Sequence, residues 1–205
     1  MPAPTPAPGP RRTRLSAAER KASILAAATE VFAETGYQRA KMSDVAGRVG
    51  VSEPVVFQNF GSKAAVFSAV LEDATRRTVL MLRQWAATSG SVGDWLARFL
   101  APDHLSQVHA RGTLGVLFSD AMALTADPTV AQAAREANRA VAEVFAELIA
   151  QGQRDGSVRS DLDPATAAWW LLSLLASQGF RRAAAPDDEQ LEAGLAALTL
   201  SLLTG

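Results

Sequence analysis

The chain has 205 residues, of which 48% are hydrophobic and 20% are charged, so it is long enough and apolar enough to form a folded core. It contains no cysteine, which excludes disulfide bonds, thiolate catalysis and cysteine-based zinc sites and fits a cytoplasmic location. The formal net charge of −1 is unevenly distributed: residues 1–63 carry +4, from nine basic and five acidic residues, and the remainder carries −5, which suggests that only the N-terminal part contacts a polyanion.

Residues 1–15 form a predicted flexible tail that is rich in proline and basic residues. The first ten, MPAPTPAPGP, include five of the ten prolines of the chain and favour an extended, solvated backbone. They contain no apolar run of the kind found in signal peptides. The most hydrophobic stretch, residues 169–180, ends at Arg181 and is too short to span a bilayer, so we expect no membrane partner.

The first predicted helix begins at a capping box formed by Ser16 and Glu19. Apolar residues then recur at three- and four-residue steps, which is the spacing of one buried helix face. We expect the helix to end at Gly36, because glycine readily adopts the backbone conformation that terminates a helix.

Two shorter helices are predicted next, separated by a tight turn at Gly50. The first covers about residues 42–49. Ser52 is expected to cap the second, and Pro54 falls in its first turn, where no amide hydrogen is needed. This spacing is typical of a helix-turn-helix, although any three-helix cluster would show the same pattern.

Two segments of this region, ILAAATEVFAETGY and MSDVAGRVGVSEPVVFQNFGSKAAVF, resemble the DNA-binding domain of the TetR (tetracycline-repressor) family. The resemblance rests on the spacing of the Phe-x-x-x-Gly-Tyr, Asp-Val-Ala, Gly-Val-Ser and Ser-Lys motifs. It implies an all-α fold of about nine helices. In that fold, a three-helix DNA-binding domain at residues 16–62 precedes a larger ligand-binding and dimerisation domain at residues 63–205. It also implies that the third helix enters the major groove of double-stranded DNA.

In this third helix, Val56 and Phe60 are expected on the buried side, which leaves the other residues facing DNA. Gln58 and Asn59 carry amides that match an adenine edge, whereas Val55 either contacts a thymine methyl group or packs inside. The candidate DNA-binding residues are Arg11, Arg12, Arg14, Lys41, Ser52, Glu53, Pro54, Val55, Phe57, Gln58, Asn59 and Lys63.

Two departures from the family pattern change the expected phosphate contacts. Phe57 stands where the family usually has tyrosine, so no hydroxyl is available there for a phosphate. Ala40 and Lys41 replace the usual pair of threonines before the second helix. We therefore expect Lys41, Lys63 and the basic tail to contact phosphates, while Glu53 repels them unless it accepts a hydrogen bond from a cytosine amino group or an arginine.

A long fourth helix over about residues 63–88 is predicted to lead into the body, with Met81 on its inner side. Further helices are predicted at residues 92–101, 103–125 and 128–153. Their aromatic residues predict either a large effector pocket or a filled core. The candidate ligand-binding residues are Trp85, Trp95, Phe99, His104, Arg111, Phe118, Met122, Phe145, Trp169 and Gln178. Asp120 is a further candidate polar anchor for a ligand.

The C-terminal end predicts a dimer interface. A helix over about residues 164–184 is apolar around nearly its whole circumference and therefore needs to be covered. The last helix, about residues 187–203, carries one leucine stripe. Two such helices from each subunit would form a four-helix bundle around a two-fold axis, although they could instead close the core of one subunit. The candidate interface residues are Leu172, Leu175, Leu191, Leu195, Leu198 and Leu202.

Motifs for catalysis and metal binding are absent from the sequence. His104 and His109 are five residues apart, which does not place two ligands on one helix face, so no metal is expected. No Ser-x-Gly elbow, pair of catalytic carboxylates or Gly-rich phosphate loop occurs, so we expect neither an enzyme nor a cofactor.

The sequence therefore predicts a DNA-binding transcriptional regulator. The specific expectation is a homodimeric repressor that a small, largely apolar effector releases from a palindromic operator. Two alternatives remain open: a ligand-independent dimer that binds DNA or a partner protein, and a helical enzyme or carrier with an accessory DNA-binding module.

Overall fold

The computed structural model describes residues 16–108, 114–123, 126–185 and 189–205, and the described part is helical without β-strands, which confirms the predicted all-α fold. Its helices are α1 (Ala17–Arg39), α2 (Met42–Val49), α3 (Glu53–Phe60), α4 (Lys63–Ala87), α5 (Val92–Phe99), α6 (Pro102–Val108), α7 (Leu114–Ala123), α8 (Pro128–Asp155), α9 (Pro164–Ala176), α10 (Gln178–Ala184) and α11 (Glu189–Thr204). None of these described helices combines the length and apolarity needed to cross a bilayer.

Helix α1 begins at the predicted capping box and is kinked at Gly36. The Ser16 hydroxyl accepts a hydrogen bond from the Glu19 amide at 3.2 Å, and the Glu19 carboxylate accepts one from the Ser16 amide at 2.8 Å. Gly36 has φ 75° and ψ 160°, a conformation that side chains disfavour. The regular helix therefore stops at the predicted position, and one further turn continues to Arg39.

Helices α2 and α3 are joined by the predicted glycine turn. Gly50 has φ 73° and ψ 35°, and the Val51 amide donates to the Ala46 carbonyl at 3.0 Å across the turn. Ser52 occupies the N-cap position of α3 as predicted, but its side chain makes no capping hydrogen bond. Pro54, in the first turn, has no amide hydrogen to offer, and the next amide donates to the Ser52 carbonyl instead.

Helix α4 connects this region to the body. Ser62 caps its start through a hydroxyl that accepts from the Ala65 amide at 3.1 Å, and the helix packs mainly against α8. The prediction that Met81 lies on the inner side is wrong, because Met81 is 50% exposed. The buried positions Leu71, Thr75 and Leu82 follow steps of four and seven residues, and at about 100° per residue the neighbour of Leu82 turns outward.

The described helices pack around two hydrophobic cores. The first contains α1, α2, α3, the first half of α4, α7 and the beginning of α8. The second contains the second half of α4 together with α5, α8, α9 and α11. Val66 and Phe67 of α4 and Leu117 of α7 lie in the same core as the helix-turn-helix, so packing is continuous across the division expected between residues 62 and 63.

Of the long helices expected in the body, one is described only in part and another is divided. Within residues 103–125 the structure describes α6 and α7, and residues 109–113, 124 and 125 lie outside the described part. The helix expected at 164–184 is divided into α9 and α10 at Ser177, whose hydroxyl donates to the Ser173 carbonyl at 2.7 Å. Arg181 also donates to the Leu174 carbonyl at 2.9 Å and so supports this break.

Candidate functional site

The outer side of α3 is formed by residues that the first core leaves uncovered. Val56 is fully buried and Phe60 is half-buried against that core, as the sequence predicts. The remaining candidates on or next to α3 are exposed (Ser52, Glu53, Pro54, Phe57 and Gln58) or half-buried (Val55 and Asn59). This arrangement presents an amide, a carboxylate and apolar surface together on one short helix.

The two amide side chains of α3 differ in their availability. Asn59 donates from Nδ2 to the Val55 carbonyl at 2.7 Å within the helix, so part of its hydrogen-bonding capacity is already used. Gln58 is exposed and has no side-chain hydrogen bond among the described residues. Because an adenine edge requires both a donor and an acceptor, the Gln58 amide matches it better than the Asn59 amide.

The candidate phosphate-binding cations also lie in different surroundings. Lys41 is exposed immediately before α2. Lys63 donates from Nζ to the Gln38 carbonyl at 3.2 Å and lies 4.8 Å from the centre of the Tyr37 ring, and burial lowers its pKa. Lys63 therefore holds the end of α1, and its contact with phosphate stays a prediction. Arg11, Arg12 and Arg14 lie outside the described residues.

One cation near α3 is not singled out by the sequence. The Lys21 Nζ lies 5.3 Å from the centre of the Phe60 ring and so sits close to the end of α3. Its only sequence signal is a basic residue in the first turns of α1. Arg48 is less available, because its guanidinium pairs with Glu30 at 3.0 Å and with Glu34.

Five of the candidate ligand-binding residues form one aromatic cluster in the second core. Ring centres are 5.0 Å apart for Trp95 and Phe99, 4.8 Å for Trp85 and His104, and 5.5 Å for Phe99 and Phe145. Trp95, Phe99 and Phe145 are buried, whereas Trp85 and His104 are partly exposed at the side of the cluster. Burial lowers the pKa of His104, which favours its neutral form near pH 7.

Among the described residues of the body, two buried polar atoms have no hydrogen-bond partner within that described part. They are Nε1 of Trp95, a donor, and Oε1 of Gln178, an acceptor. An unpaired buried polar atom costs roughly 1–3 kcal/mol, so such atoms mark places where a bound molecule or water would stabilise the protein.

Two of the other candidate ligand-binding residues, Phe118 and Trp169, lie away from this cluster. Phe118 packs against the first core, beside α1 and α4. Trp169 is 51% exposed on α9, because the buried side of that helix is occupied by Ala167, Ala168 and Leu171. Arg111 and the side chain of Met122 lie outside the described residues.

Neither of two grooves in the described part of the chain is lined by the aromatic cluster. The larger, about 850 Å³, runs between α4 and the first half of α8, and its lining includes five alanines and the charged residues Glu72, Arg76, Arg83 and Glu136. The smaller, about 310 Å³, lies between the end of α1 and Asp120 of α7. Asp120 thus lies at the junction of α1 and α7 and lines this smaller groove, not the aromatic cluster, and its role as a ligand anchor stays a prediction.

An apolar surface covers the outer sides of α9, α10 and α11. Its most exposed members are Phe180, at 74%, and Leu198, at 62%. Of the candidate interface residues, Leu191, Leu198 and Leu202 are exposed, and Leu172, Leu175 and Leu195 are half-buried. Beneath this surface, Arg181 of α10 forms a bidentate and largely buried ion pair with Glu192 of α11, at 2.7 and 2.9 Å, which fixes the two helices to each other.

A helix-turn-helix with an exposed second helix, continued by a long helix into an all-helical body, defines the class of two-part DNA-binding regulators. Residues 24–70 match the family model of the bacterial regulatory proteins of the tetR family. Residues 91–204 match the model of the C-terminal domain of SbtR-like transcriptional regulators. The chain therefore belongs to the TetR family, whose members are transcriptional regulators and not enzymes.

Individual relatives agree with this assignment. The chain is 25% identical over 178 residues to the HTH-type transcriptional repressor Rv1474c of Mycobacterium tuberculosis, covering 87% of this chain and 90% of that protein. It is 44% identical over 85 residues to the HTH-type transcriptional activator FasR of Mycolicibacterium smegmatis, but this match spans only 39% of FasR. The fold is shared with FadR of Bacillus subtilis in complex with stearoyl-CoA, with a TM-score of 0.68 and 18% identity over 90% of this chain and 97% of FadR.

Proposed function

We propose that this TetR-family regulator is a homodimeric repressor that binds a palindromic operator and leaves it when a small, largely apolar effector binds the body. The observation that carries the DNA-binding part is the exposed face of α3, held on a rigid core through the fully buried Val56. Gln58 supplies an amide for an adenine edge, and Lys41 supplies a phosphate contact. Arg11, Arg12 and Arg14 would add further phosphate contacts.

The apolar surface of α9, α10 and α11 supports the homodimer. Trp169, Trp170, Phe180 and Leu198 are each about half or more exposed, and large exposed apolar patches mark interaction surfaces. A second copy of the same surface, related by a two-fold axis, would cover it. Two reading helices in one dimer would then face half-sites separated by about one DNA turn, ~34–36 Å, or a multiple of it.

The aromatic cluster and its polar atoms support the effector. Trp85 and His104 reach the side of the cluster, and the unpaired indole N–H of Trp95 would donate to an oxygen of a bound molecule. FadR of Bacillus subtilis, which shares the fold, is bound to stearoyl-CoA, a ligand with a long apolar chain. The alternative of a ligand-independent dimer is favoured by the close ring packing between Trp95 and Phe99.

Release of DNA requires the effector to favour one body conformation strongly. Moving an equilibrium from 1:99 to 99:1 needs ~5.5 kcal/mol of differential affinity. Burial of apolar surface contributes ~25 cal/mol per Å², so a ligand with roughly 200 Å² of additional apolar contact in one state would supply that difference. Helix α4 would transmit the change, since it belongs to both cores.

A gel-shift assay with DNA from upstream of the gene tests this function. We expect tight binding of one palindromic segment and its release by at least one member of a panel of apolar acyl compounds. Failure to bind any upstream segment would remove the basis of the proposal. Tight binding that no compound releases would instead support the ligand-independent dimer. A promoter–reporter measurement separates repression from activation, and we expect reporter output to rise when the gene is deleted.

A further inference from the structure

The kink of α1 leaves a backbone amide that the body, not the helix, satisfies. At Gly36 the chain leaves helical geometry, and the following amide, that of Tyr37, donates to Oδ2 of Asp120 on α7 at 2.6 Å. A Cβ built on Gly36 would lie 3.0 Å from the same carboxylate oxygen, so α7 approaches the turn closely. This is a charge-assisted hydrogen bond between residues 83 positions apart in the chain.

The same turn is held from a second side by α4. The Tyr37 ring lies 4.9 Å from the Phe67 ring, and Lys63 lies over the Tyr37 ring and donates to the Gln38 carbonyl. The turn from Gly36 to Gln38 is thus fixed by two helices, α4 and α7. Only α4 is directly continuous with the three DNA-binding helices α1, α2 and α3, here called the reading head, through the short link after α3.

The turn lies shortly before α2, so its position affects the helix-turn-helix. The Ala40 amide donates back to the Gly36 carbonyl at 3.1 Å, and α2 begins two residues later, at Met42. A shift of the turn therefore shifts the start of α2 and, through the Gly50 turn, α3. Helix α7 lies within the residues that match the C-terminal domain, so the Asp120 contact crosses from the body to the reading head.

We propose that Asp120 is a positioning residue for DNA binding: its contact with the Tyr37 amide sets the orientation of the reading head on the body and hence the half-site spacing that the dimer accepts. This inference rests on the proposed function as a DNA-binding dimer. We infer no contact of Asp120 itself with a base or a phosphate. Its effect is on spacing, whereas residues of α3 determine which bases are preferred within each half-site.

The test measures binding to a DNA library in which two inverted half-sites are separated by spacers that vary one base pair at a time. We expect Asp120→Ala to bind the optimal spacing about tenfold more weakly than the unsubstituted protein, with smaller losses at neighbouring spacings, because a lost charge-assisted hydrogen bond corresponds to roughly that factor. Base preference within each half-site should not change. Asp120→Asn keeps an acceptor oxygen and should restore most of the spacing preference.

Two further variants complete the test. Gly36→Ala attacks the same contact from α1, through its positive φ and its approach to Asp120, and should broaden the spacing profile in the same way. Glu143→Ala, which removes an exposed carboxylate from α8, should leave the profile unchanged. Thermal melting establishes that each variant is folded. If Asp120→Ala does not fold, hydrogen exchange of the Tyr37 amide in the unsubstituted protein provides the measurement, and rapid exchange would refute the contact.

The outcomes separate this inference from the proposed function. If the unsubstituted protein binds no member of the library, the proposed function fails, and the inference fails with it. If it binds with a clear spacing preference that folded Asp120→Ala and Gly36→Ala retain, only the positioning role of Asp120 is overturned. A broadened profile with unchanged base preference supports it, because a merely structural loss would weaken all spacings equally.

Discussion

At the scale of single residues, the exposed side of α3, which we propose contacts DNA bases, presents groups of different chemistry. Gln58 offers a free amide, Phe57 offers an apolar ring and Glu53 offers a carboxylate with no ion pair among the described residues. A carboxylate near the major groove repels phosphates but can accept a hydrogen bond from the amino group of cytosine N4. It therefore limits the operator sequences that the protein can bind. Specificity in this protein is therefore expected to depend on few hydrogen bonds.

Replacing Gln58 with alanine should relax base preference at one position of each half-site. We expect a loss of ~1–3 kcal/mol for the preferred base and little change for the others, measured by competition binding with single-base operator variants. The control is Lys41→Ala, which should weaken binding to every sequence alike and lower the salt slope by about one phosphate contact. Equal weakening of all sequences by Gln58→Ala would show that this side chain does not read bases.

At the scale of secondary-structure elements, the helix-turn-helix depends on Gly50. Its φ of 73° is reached by glycine without steric cost, whereas other L residues pay roughly 1–2 kcal/mol there. A Cβ at this position would meet nothing within 4 Å, so the penalty of a substitution is conformational and not a clash. The turn thus fixes the crossing of α2 and α3 through backbone geometry.

The variant Gly50→Ala should therefore lower the free energy of unfolding by ~1 kcal/mol, measured by urea denaturation. Gly47→Ala is a matched control three positions earlier, in α2, where φ is not positive and the added Cβ also meets nothing within 4 Å. There, alanine should stabilise the protein by roughly 0.5–1 kcal/mol because it favours the helix. Equal effects of the two substitutions would contradict the conformational explanation.

At the scale of the whole molecule, two cores joined by α4 and α8 place the reading head and the apolar C-terminal surface in one chain. The first core includes α7 as well as the helix-turn-helix, so the body and the head share packing beyond the α4 connection. The second core leaves the outer sides of α9, α10 and α11 uncovered. The helix-turn-helix and the apolar C-terminal surface, where we propose that the dimer forms, are therefore linked through packed helices.

Placing a charge on the apolar C-terminal surface should separate the subunits. We expect Leu198→Glu to shift the protein from dimer to monomer in sedimentation velocity, because an unpaired carboxylate would be buried in the interface. Operator binding should weaken with it, since each monomer carries one reading helix. Leu80→Glu is the control: Leu80 is 51% exposed on α4, and its substitution should leave the dimer intact. A dimeric Leu198→Glu variant would place the interface elsewhere.

The sequence by itself was sufficient for most of the helices and, through the resemblance to the TetR family, for the class of protein. The capping box at Ser16, the glycines at 36 and 50, and the three- and four-residue apolar steps act within a few residues, so their structural consequences can be read locally. The burial of Val56 and the exposure of Gln58 follow from the same periodicity, as the structure confirms. These local signals carry the all-α fold and the helix-turn-helix.

Only the tertiary structure decided which of these residues meet across the chain. Asp120 accepts a hydrogen bond from the Tyr37 amide, Trp169 is exposed, and Lys63 donates to the end of α1. Periodicity along one helix could reveal none of these contacts. The reason is physical: an amphipathic pattern states that a face is buried but not against which element. Which partner a buried face or a free amide finds depends on packing between helices that are distant in the sequence.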